Sequence, residues 1–400
     1  MKTIAPVLAA LFALSVFNTA AADWPRWRGP TLNGISTEKG WNANWATPPK
    51  VLWRANVGLG YSSFAVAGGR VYTQGNSGNQ DTIFCFDAAT GKEIWKHSYA
   101  EDKGARYHQG GTNTTPAVDG GAVYTVSKSG WAYCLDAATG KEKWKVNVLR
   151  AIGAKMPEWG LGSSPLVLGK LVILNAGATG TALNKDTGAV VWKSAGNKKA
   201  GYASAVPYRT GNSWGVAIFS GTEAVGVNAS NGQVFWRYPW KTKYDVNSAD
   251  LIISGQTIFL TSGYNRGCTL LRFTGSGLKP VYENKALRAQ QNSPVLIGGH
   301  LYGIDGDARR FTLKCVELAT GKVKWKGDNI AALMAADGKL ICQGETGQLY
   351  LVAADPAGYK KLAETSVFRE PSWSTPVLAN GRIYTRGHRG TVVCVDVSGK

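Results

Sequence analysis

Three ten-residue stretches of this sequence are near-copies of one another: FDAATGKEIW at residues 86–95, LDAATGKEKW at 135–144 and VELATGKVKW at 316–325. Weaker copies occupy residues 184–192 and 227–236. The aromatic residue that closes the pattern recurs every 42 to 49 residues, at Trp53, Trp95, Trp144, Trp192, Trp236, Tyr282 and Trp325. Self-similarity with a period in the forties indicates a propeller whose blades each contain four strands.

Each repeat carries the same internal order of signals. It begins with a pair of small polar residues before a short apolar run, as in Thr114-Thr115-Pro116. Because proline cannot donate to a strand ladder, this run belongs at an edge, and the innermost strand of a blade is such an edge. A glycine-containing turn and two further strands follow, and the Asp-x-x-Thr-Gly hairpin then leads into the tryptophan strand. The tryptophan is large enough to fill the space between neighbouring blades.

Eight innermost strands are predicted, near residues 63–67, 114–118, 164–168, 203–207, 248–253, 293–297, 331–335 and 374–378. The last repeat ends after Asp396 without its fourth strand, whereas residues 51–57 have the fourth-strand pattern with no blade before them. We therefore predict an all-β fold, an eight-bladed β-propeller of four-stranded antiparallel blades. The N-terminal strand is expected to close the ring by pairing into the last blade.

The first residues have the pattern of a signal peptide. A lysine at position 2 precedes an apolar run from Ile4 to Phe17 and small residues up to Ala22. No later segment has the apolar length of a membrane span, and no cysteine near Ala22 offers a site for lipid attachment. The predicted organisation is a signal peptide at 1–22, an N-terminal extension at 23–50 and the propeller at 51–400, in a soluble periplasmic or secreted protein.

The formal net charge of +19 has two explanations. Such a charge is typical of a protein with an anionic partner. Many of the lysines, however, fall in segments such as KEIWK at 92–96 and KVKWK at 322–326. These segments form the outermost strand of a blade, where lysine protects an unpaired edge against sheet-to-sheet association.

The cysteines and histidines give no sign of a metal centre. Four of the six cysteines stand two residues before the residue that opens a hairpin, which predicts buried apolar fillers, although an exported chain can also form disulfides. The four histidines share no metal-ligand spacing, and no CxxC occurs. We predict neither a metal site nor catalytic residues.

A surface remains as the candidate site. The loops that enter each innermost strand and those that join the second strand to the third meet on one face of a propeller. They supply the candidate ligand-binding residues Tyr61, Arg106, His108, Glu158, Trp159, Tyr202, Asp245, Asn247, Arg266, Arg309, Arg310, Trp373 and Arg389. Arginine forks bind carboxylates and phosphates, which suits an anionic aromatic ligand or an anionic polymer. The alternative is that these arginines are solvated or paired with neighbouring carboxylates.

The Asp-Ala-Ala-Thr-Gly-Lys-x-x-Trp signature resembles the PQQ-like (pyrroloquinoline-quinone repeat) propeller superfamily over essentially all of the chain after residue 22. The segments WPRWRGP at 24–30, RYPW at 237–240 and YDVN at 244–247 resemble exported single-propeller members more narrowly. The resemblance implies three possible roles. These are quinone-cofactor dehydrogenases, scaffolds of BamB-like architecture in outer-membrane assembly, and sensor or binding modules.

Two departures from these relatives bear on the choice. The quinone dehydrogenases often have an adjacent Cys-Cys pair and use an aspartate beside calcium, and no Cys-Cys occurs here. The BamB scaffold is normally a lipoprotein. We predict a non-catalytic binding or scaffold propeller, as a monomer, with a protein partner, an anionic small molecule or a polysaccharide as its ligand and no nucleic acid. The alternative is a PQQ-dependent alcohol or sugar dehydrogenase with PQQ and calcium.

Overall fold

A computed structural model describes residues 22–105, 108–194, 199–275, 277–307 and 310–399. Within these residues the chain forms eight four-stranded antiparallel sheets arranged as the blades of a propeller, which confirms the predicted fold. All eight innermost strands lie within a few residues of their predicted positions.

The first four blades follow the N-terminal segment in chain order. Their strands are β3 (Ala65–Ala67), β4 (Arg70–Ser77), β5 (Gln80–Asp87) and β6 (Glu93–Ala100); β7 (Ala117–Asp119), β8 (Ala122–Val126), β9 (Trp131–Asp136) and β10 (Glu142–Asn147); β11 (Leu166–Leu168), β12 (Leu171–Leu174), β13 (Thr181–Asn184) and β14 (Val190–Lys193); and β15 (Val206–Thr210), β16 (Ser213–Phe219), β17 (Glu223–Asn228) and β18 (Val234–Pro239).

The last four blades complete the ring. Their strands are β19 (Ile252–Ser254), β20 (Thr257–Ser262), β21 (Gly267–Thr274) and β22 (Gly277–Asn284); β23 (Val295–Ile297), β24 (His300–Asp307), β25 (Arg310–Glu317) and β26 (Val323–Lys326); β27 (Ala332–Ala336), β28 (Lys339–Gln343), β29 (Gln348–Ala353) and β30 (Lys361–Ser366); and β31 (Val377–Ala379), β32 (Arg382–Arg386), β33 (Thr391–Asp396) and β2 (Val51–Asn56).

The ring closes as the sequence predicts, because β2 pairs antiparallel with β33 and supplies the fourth strand of blade 8. Trp53 of β2 then packs against the hairpin of blade 1 and donates its indole N–H to the carbonyl of Ala88 at 3.1 Å. A Cβ on Gly91 of that hairpin would lie 2.5 Å from the Trp53 ring, and φ there is +71°, so both the close approach and the backbone require glycine.

The same hydrogen bond, from a strand tryptophan to a hairpin carbonyl of the following blade, recurs at the next three junctions between blades. The indole N–H groups of Trp95, Trp144 and Trp192 donate to hairpin carbonyls of the following blade at 2.8 to 3.0 Å. Blade 4 departs from the pattern, because the turn between β21 and β22 lacks the Asp-x-x-Thr-Gly sequence. Trp236 donates instead to the hydroxyl of Tyr208 in its own blade, at 2.9 Å.

The N-terminal segment, residues 22–36, lies across one end of the central channel. At this end a turn joins the innermost strand of each blade to the second strand. Trp24 pairs with Val66 of blade 1, Val118 of blade 2 donates to Pro25 O, and Arg26 donates to Val167 O of blade 3. The segment ends in β1 (Ile35–Ser36), which adds to β27 in parallel and gives blade 7 a fifth strand. It therefore crosses the ring from one side to the other and fills this end of the channel, which we call the base.

Helical structure is scarce among the described residues. The short helix α1 (Val148–Ile152) and the 3-10 turn at Lys243–Asp245 lie in connections between blades. All six cysteines fall within the described residues, and each is buried and unpaired. None of the described helices is long and apolar enough to span a bilayer. The predicted signal peptide lies outside the described residues, apart from Ala22.

Candidate functional site

A pocket of about 330 Å³ occupies the end of the channel opposite the base, which we call the mouth. It is formed mainly by the loops that enter the innermost strands. Its described lining consists of aromatic and polar side chains: Trp27, Tyr61, His108, Asn113, Thr115, Trp159, Ser164, Tyr202, Ser204, Ser248, Asp250, Tyr264, Gln290, Gln291, Asn292, Trp373, Ser374 and Thr375, together with Gly162 and Val246. Trp27 of the N-terminal segment lines the pocket on the side that faces the base.

One side of the pocket is a continuous arc of aromatic side chains from successive blades. Trp373 stacks on Tyr61 with ring centroids 5.7 Å apart and planes inclined by 20°. His108 meets Tyr61 edge-on at 5.4 Å, and the Trp159 ring lies 5.5 Å from His108. The hydroxyl of Tyr202 extends the arc by accepting a hydrogen bond from the backbone N–H of Trp159 at 3.3 Å. All five side chains are only partly buried, so part of each remains exposed to the pocket or solvent.

His388 supports this arc from behind. It is almost completely buried, its ring packs edge-on against Tyr61 at 4.3 Å and Trp373 at 4.7 Å, and its Nε2 accepts the backbone N–H of Trp373 at 2.9 Å. Burial and the nearby Arg386 guanidinium lower the pKa of His388 to about 3. The imidazole is therefore neutral at pH 7, with its proton on Nδ1.

The opposite side of the pocket carries carboxamides from the loop that enters blade 6. Asn292 is held in place, since its Nδ2 donates to Ala331 O at 2.8 Å and its Oδ1 accepts from the Thr375 hydroxyl at 3.1 Å. The Oε1 atoms of Gln290 and Gln291 have no hydrogen-bond partner among the described residues. A half-turn of a carboxamide exchanges its oxygen and nitrogen, so each glutamine can offer a donor or an acceptor to a ligand.

The floor of the pocket is built by Trp27 and Asp250. The indole N–H of Trp27 donates to Asp250 Oδ2 at 2.6 Å, and the backbone N–H of Ser204 donates to Asp250 Oδ1 at 2.7 Å. The guanidinium of Arg28 lies 3.8 Å from the same carboxylate. Burial raises the pKa of Asp250 and lowers that of Arg28, while the pairing of the two opposes both shifts. Asp250 is the one carboxylate of the described lining, and the guanidinium of Arg28, on the base side of the pocket, balances its charge.

The structure brings together five of the thirteen predicted site residues, namely Tyr61, His108, Trp159, Tyr202 and Trp373. The other described candidates line no part of the pocket. Asn247 is fully buried and binds the carbonyls of Ser220 and Gly221. Asp245 lies in the 3-10 turn with φ of +56°.

The predicted arginines are placed differently. The Arg266 guanidinium lies 3.5 Å from the centre of the Trp240 ring and pairs with Glu283 at 2.6 Å. Arg389 and Glu158 are exposed. Arg106 and Arg309 lie outside the described residues, and Arg310 is described only as the first residue of β25.

Two important residues, Trp27 and Asp250, were not among the sequence candidates. A signal for Asp250 exists in the repeat. In blades 1 to 5, a backbone N–H two residues before the innermost strand donates to a side-chain oxygen of the next blade; the acceptors are Thr115, Ser164, Ser204, Asp250 and Ser293 in turn. Asp250 is the carboxylate in a series that is otherwise hydroxyls. An acidic residue at a hydroxyl position of the repeat could therefore have been predicted to meet a partner.

The family comparison matches residues 38–111 and 79–327 to the family described as "Outer membrane protein assembly factor BamB". The chain belongs to this family. A BamB from Burkholderia pseudomallei (strain K96243) is 25% identical over 298 residues, covering 70% of this chain and 69% of that protein.

Solved structures share the fold of this BamB-family chain. BamB from Moraxella catarrhalis superposes with a TM-score of 0.64 at 14% identity, covering 87% of this chain and 99% of that one. The quinohemoprotein alcohol dehydrogenase from Comamonas testosteroni gives a TM-score of 0.72 at 16% identity, covering 95% and 81%. At these identities the likeness concerns the fold alone.

The described pocket does not fit PQQ with calcium. PQQ carries several carboxylates, and no lysine or arginine is among the described lining residues. Calcium takes six to eight oxygen ligands, whereas Asp250 is the one carboxylate of that lining and is already bound by Trp27, Ser204 and Arg28. The described residues also contain no cluster of His, Cys, Asp and Glu that could hold a metal ion.

Proposed function

We propose that this protein is a non-catalytic binding protein that works outside the cytoplasm and takes its ligand or partner at the mouth pocket. The observation that carries the proposal is the pocket itself, which is closed at its base and lined by partly exposed aromatic rings and carboxamides. Concave, largely preformed sites with a few polar groups are the usual form of small-molecule binding sites.

The arrangement of the titratable groups supports binding rather than catalysis. His108 Nδ1 accepts the backbone N–H of Gly110 and lies 3.1 Å from the Tyr61 hydroxyl. Asp250 is bound by Trp27 and Ser204. The two are thus engaged separately, and His108 has no carboxylate partner among the described residues of the kind that orients the base of a catalytic triad.

Family membership supports a role with a protein partner. Relatives of this chain carry the name of an outer membrane assembly factor, and the rim around the pocket offers exposed side chains such as Arg389 and Glu158 for a larger surface. The location outside the cytoplasm rests on the signal-peptide pattern at residues 1–22.

The proposal is tested against the quinone-dehydrogenase alternative by direct assay. The purified protein is incubated with PQQ and calcium and offered a panel of alcohols and sugars with a reducible dye. We expect no dye reduction above that of heat-denatured protein. Turnover that depends on the quinone would overturn the non-catalytic assignment.

The binding role needs its own measurement. Trp27, Trp159 and Trp373 all line the pocket, so a ligand that enters it should change the tryptophan fluorescence. A screen of neutral sugars, acidic sugars, peptides and quinones is expected to give at least one saturable signal that Trp159→Ala removes. Trp214→Ala is the matched control, because Trp214 is exposed in β16 and is not part of the pocket lining. A signal that survives Trp159→Ala but not Trp214→Ala would place binding elsewhere.

A further inference from the structure

We infer that the mouth pocket binds the end of an uncharged carbohydrate chain. The inference rests on the proposed function, because it names the ligand class of the same pocket. Three features carry it: flat aromatic faces on one side, adaptable carboxamides on the other, and a lining without net charge.

The aromatic arc suits the apolar face of a sugar ring. A pyranose presents a face of C–H groups, which packs on an aromatic ring in the same way as other apolar surface. Tyr61, Trp159 and Tyr202 come from the loops that enter blades 1, 3 and 4 and stay partly exposed although they contact one another or their neighbours. Because the hydroxyl of Tyr202 and the backbone of Trp159 are bonded to each other, these rings are held in position before a ligand arrives.

The carboxamides opposite suit the hydroxyl groups of a sugar. A hydroxyl both donates and accepts, so it needs partners that can do either. Gln290 and Gln291 meet this requirement, because both line the pocket, their Oε1 atoms are unbonded among the described residues, and a half-turn of the amide presents its nitrogen in place of its oxygen. A buried polar atom without a partner is unfavourable, and a ligand hydroxyl within reach would relieve that cost.

The charge of the lining favours a neutral ligand over an acidic one. Asp250 is the one acidic side chain of the described lining, and Arg28 neutralises it. His108 is the one imidazole there, and burial lowers its pKa below the ordinary value, so it carries little charge at pH 7. An acidic sugar would lose its hydration on entering without gaining a counter-charge from these residues.

The shape of the pocket favours a chain end. Trp27 closes it from below, and the segment that carries Trp27 is fixed to blades 1, 2 and 3 by backbone pairing and by Arg26. A polymer therefore cannot thread through the channel. A volume of about 330 Å³ is at the small end of ligand pockets, which suits one or two sugar units with the rest of the chain at the rim.

The test uses the full chain after removal of residues 1–22 and a glycan array that pairs neutral oligosaccharides with uronic-acid oligosaccharides of the same length. The strongest array ligand is then titrated by calorimetry. We expect a neutral oligosaccharide to bind about tenfold or more tightly than its acidic counterpart, a difference of about 1.4 kcal/mol. Acidic ligands that bind equally well, or an array without a neutral ligand, would overturn the inference.

Variants then locate the ligand. Trp159→Ala and the double variant Gln290→Ala/Gln291→Ala should each weaken binding about tenfold, whereas Trp214→Ala and Gln233→Ala, at exposed positions outside the pocket, should bind as the wild type does. If Trp159→Ala does not fold, Gln291→Ala still tests the site, because this side chain is partly exposed and its Oε1 has no hydrogen-bond partner among the described residues. Neutral-sugar binding that ignores the mouth variants would also overturn the inference.

The failure of this inference can be separated from that of the proposed function. A peptide or other non-sugar ligand that binds and depends on Trp159 would overturn the carbohydrate assignment and keep the binding role. Quinone-dependent turnover would overturn both.

Discussion

The two ends of the central channel are built from the same repeat and are finished in opposite ways. At the base, residues 22–36 pair with successive innermost strands, and Arg28 is buried with its guanidinium bonded to the carbonyls of Leu32, Asn33, Ser293 and Pro294. At the mouth, aromatic rings stay partly exposed and two glutamine side chains lack partners for their oxygens among the described residues.

The difference separates stability from function within one channel. Buried polar groups are normally bonded, and the base follows this rule at Arg28, although the Nε of Arg26 has no partner among the described residues. The amide oxygens that lack partners at the mouth contribute no hydrogen bond to the stability of the fold. Such unbonded groups are expected in a binding site without its ligand. We therefore expect substitutions at the base to lower stability and substitutions at the mouth to lower binding.

The largest effect should come from Arg28→Met, which keeps the length of the side chain and removes its charge. Four hydrogen bonds to carbonyls are lost and Asp250 is left as a buried carboxylate without its counter-charge. Breaking a buried pair from one side costs about 3–5 kcal/mol, so the urea midpoint should fall strongly. The double variant Arg28→Met/Asp250→Asn should recover part of the loss. A loss below about 1 kcal/mol would show that the segment contributes little to stability.

Acid should lower the free energy of unfolding through His388, which packs against the aromatic arc at the mouth. Its pKa is about 3 in the folded protein, below the value of about 6.5 in an unfolded chain. The unfolded state therefore takes up the proton first as the pH falls, and stability that is complete above about pH 6.5 is lost below it. By pH 4.5 the loss should reach about 3 kcal/mol.

The control for this pH effect is His388→Gln, which can still accept the backbone N–H of Trp373 but does not titrate. Asp81 acts in the opposite direction, because burial raises its pKa to about 7 and its protonation on acidification stabilises the folded state. The quantity to measure is therefore the difference in unfolding free energy between wild type and variant at pH 7 and at pH 4.5. If the difference does not change with pH, His388 is not the responsible group.

The sequence predicted the fold well because the fold depends on a repeated local pattern. The hairpin glycines and the strand tryptophans recur at fixed offsets, and the orphan fourth strand at residues 51–57 follows from counting them. All five rings of the aromatic arc were among the predicted residues, and three of them, Tyr61, Tyr202 and Trp373, share one offset, four residues before the start of β3, β15 and β31.

The rest of the site depends on tertiary contacts that the sequence repeat does not specify. Trp27 reaches the pocket because its segment crosses the ring and contacts blades more than 200 residues away, as the bond to Asp250 illustrates. Arg266 stands in a loop of the correct family, but its guanidinium stacks on Trp240 and pairs with Glu283. Loop membership gives the face of the propeller, whereas the direction of a side chain is decided by the neighbours it finds there.

Trp27→Phe tests the boundary between the two ends, because Trp27 belongs to the base segment and forms the floor of the pocket. The ring is kept and the N–H that donates to Asp250 at 2.6 Å is removed. A lost hydrogen bond to a charged group should lower the free energy of unfolding by about 2 kcal/mol. The same variant should alter ligand binding, measured by calorimetry. An effect on only one of the two quantities would assign Trp27 to one end of the channel.

The smallest effect on stability should come from Gln291→Ala at the mouth. This side chain is partly exposed and its Oε1 is unbonded among the described residues, so we expect a change within about 0.5 kcal/mol. Its neighbour Asn292 is the matched control, because it is buried and bonded to Ala331 O and to the Thr375 hydroxyl, and Asn292→Ala should cost about 1–3 kcal/mol. Urea unfolding of both variants gives the comparison. If the two substitutions lower the free energy of unfolding equally, Gln291 contributes to the stability of the fold. The distinction between a base that stabilises the fold and a mouth that binds a ligand then does not hold at this residue.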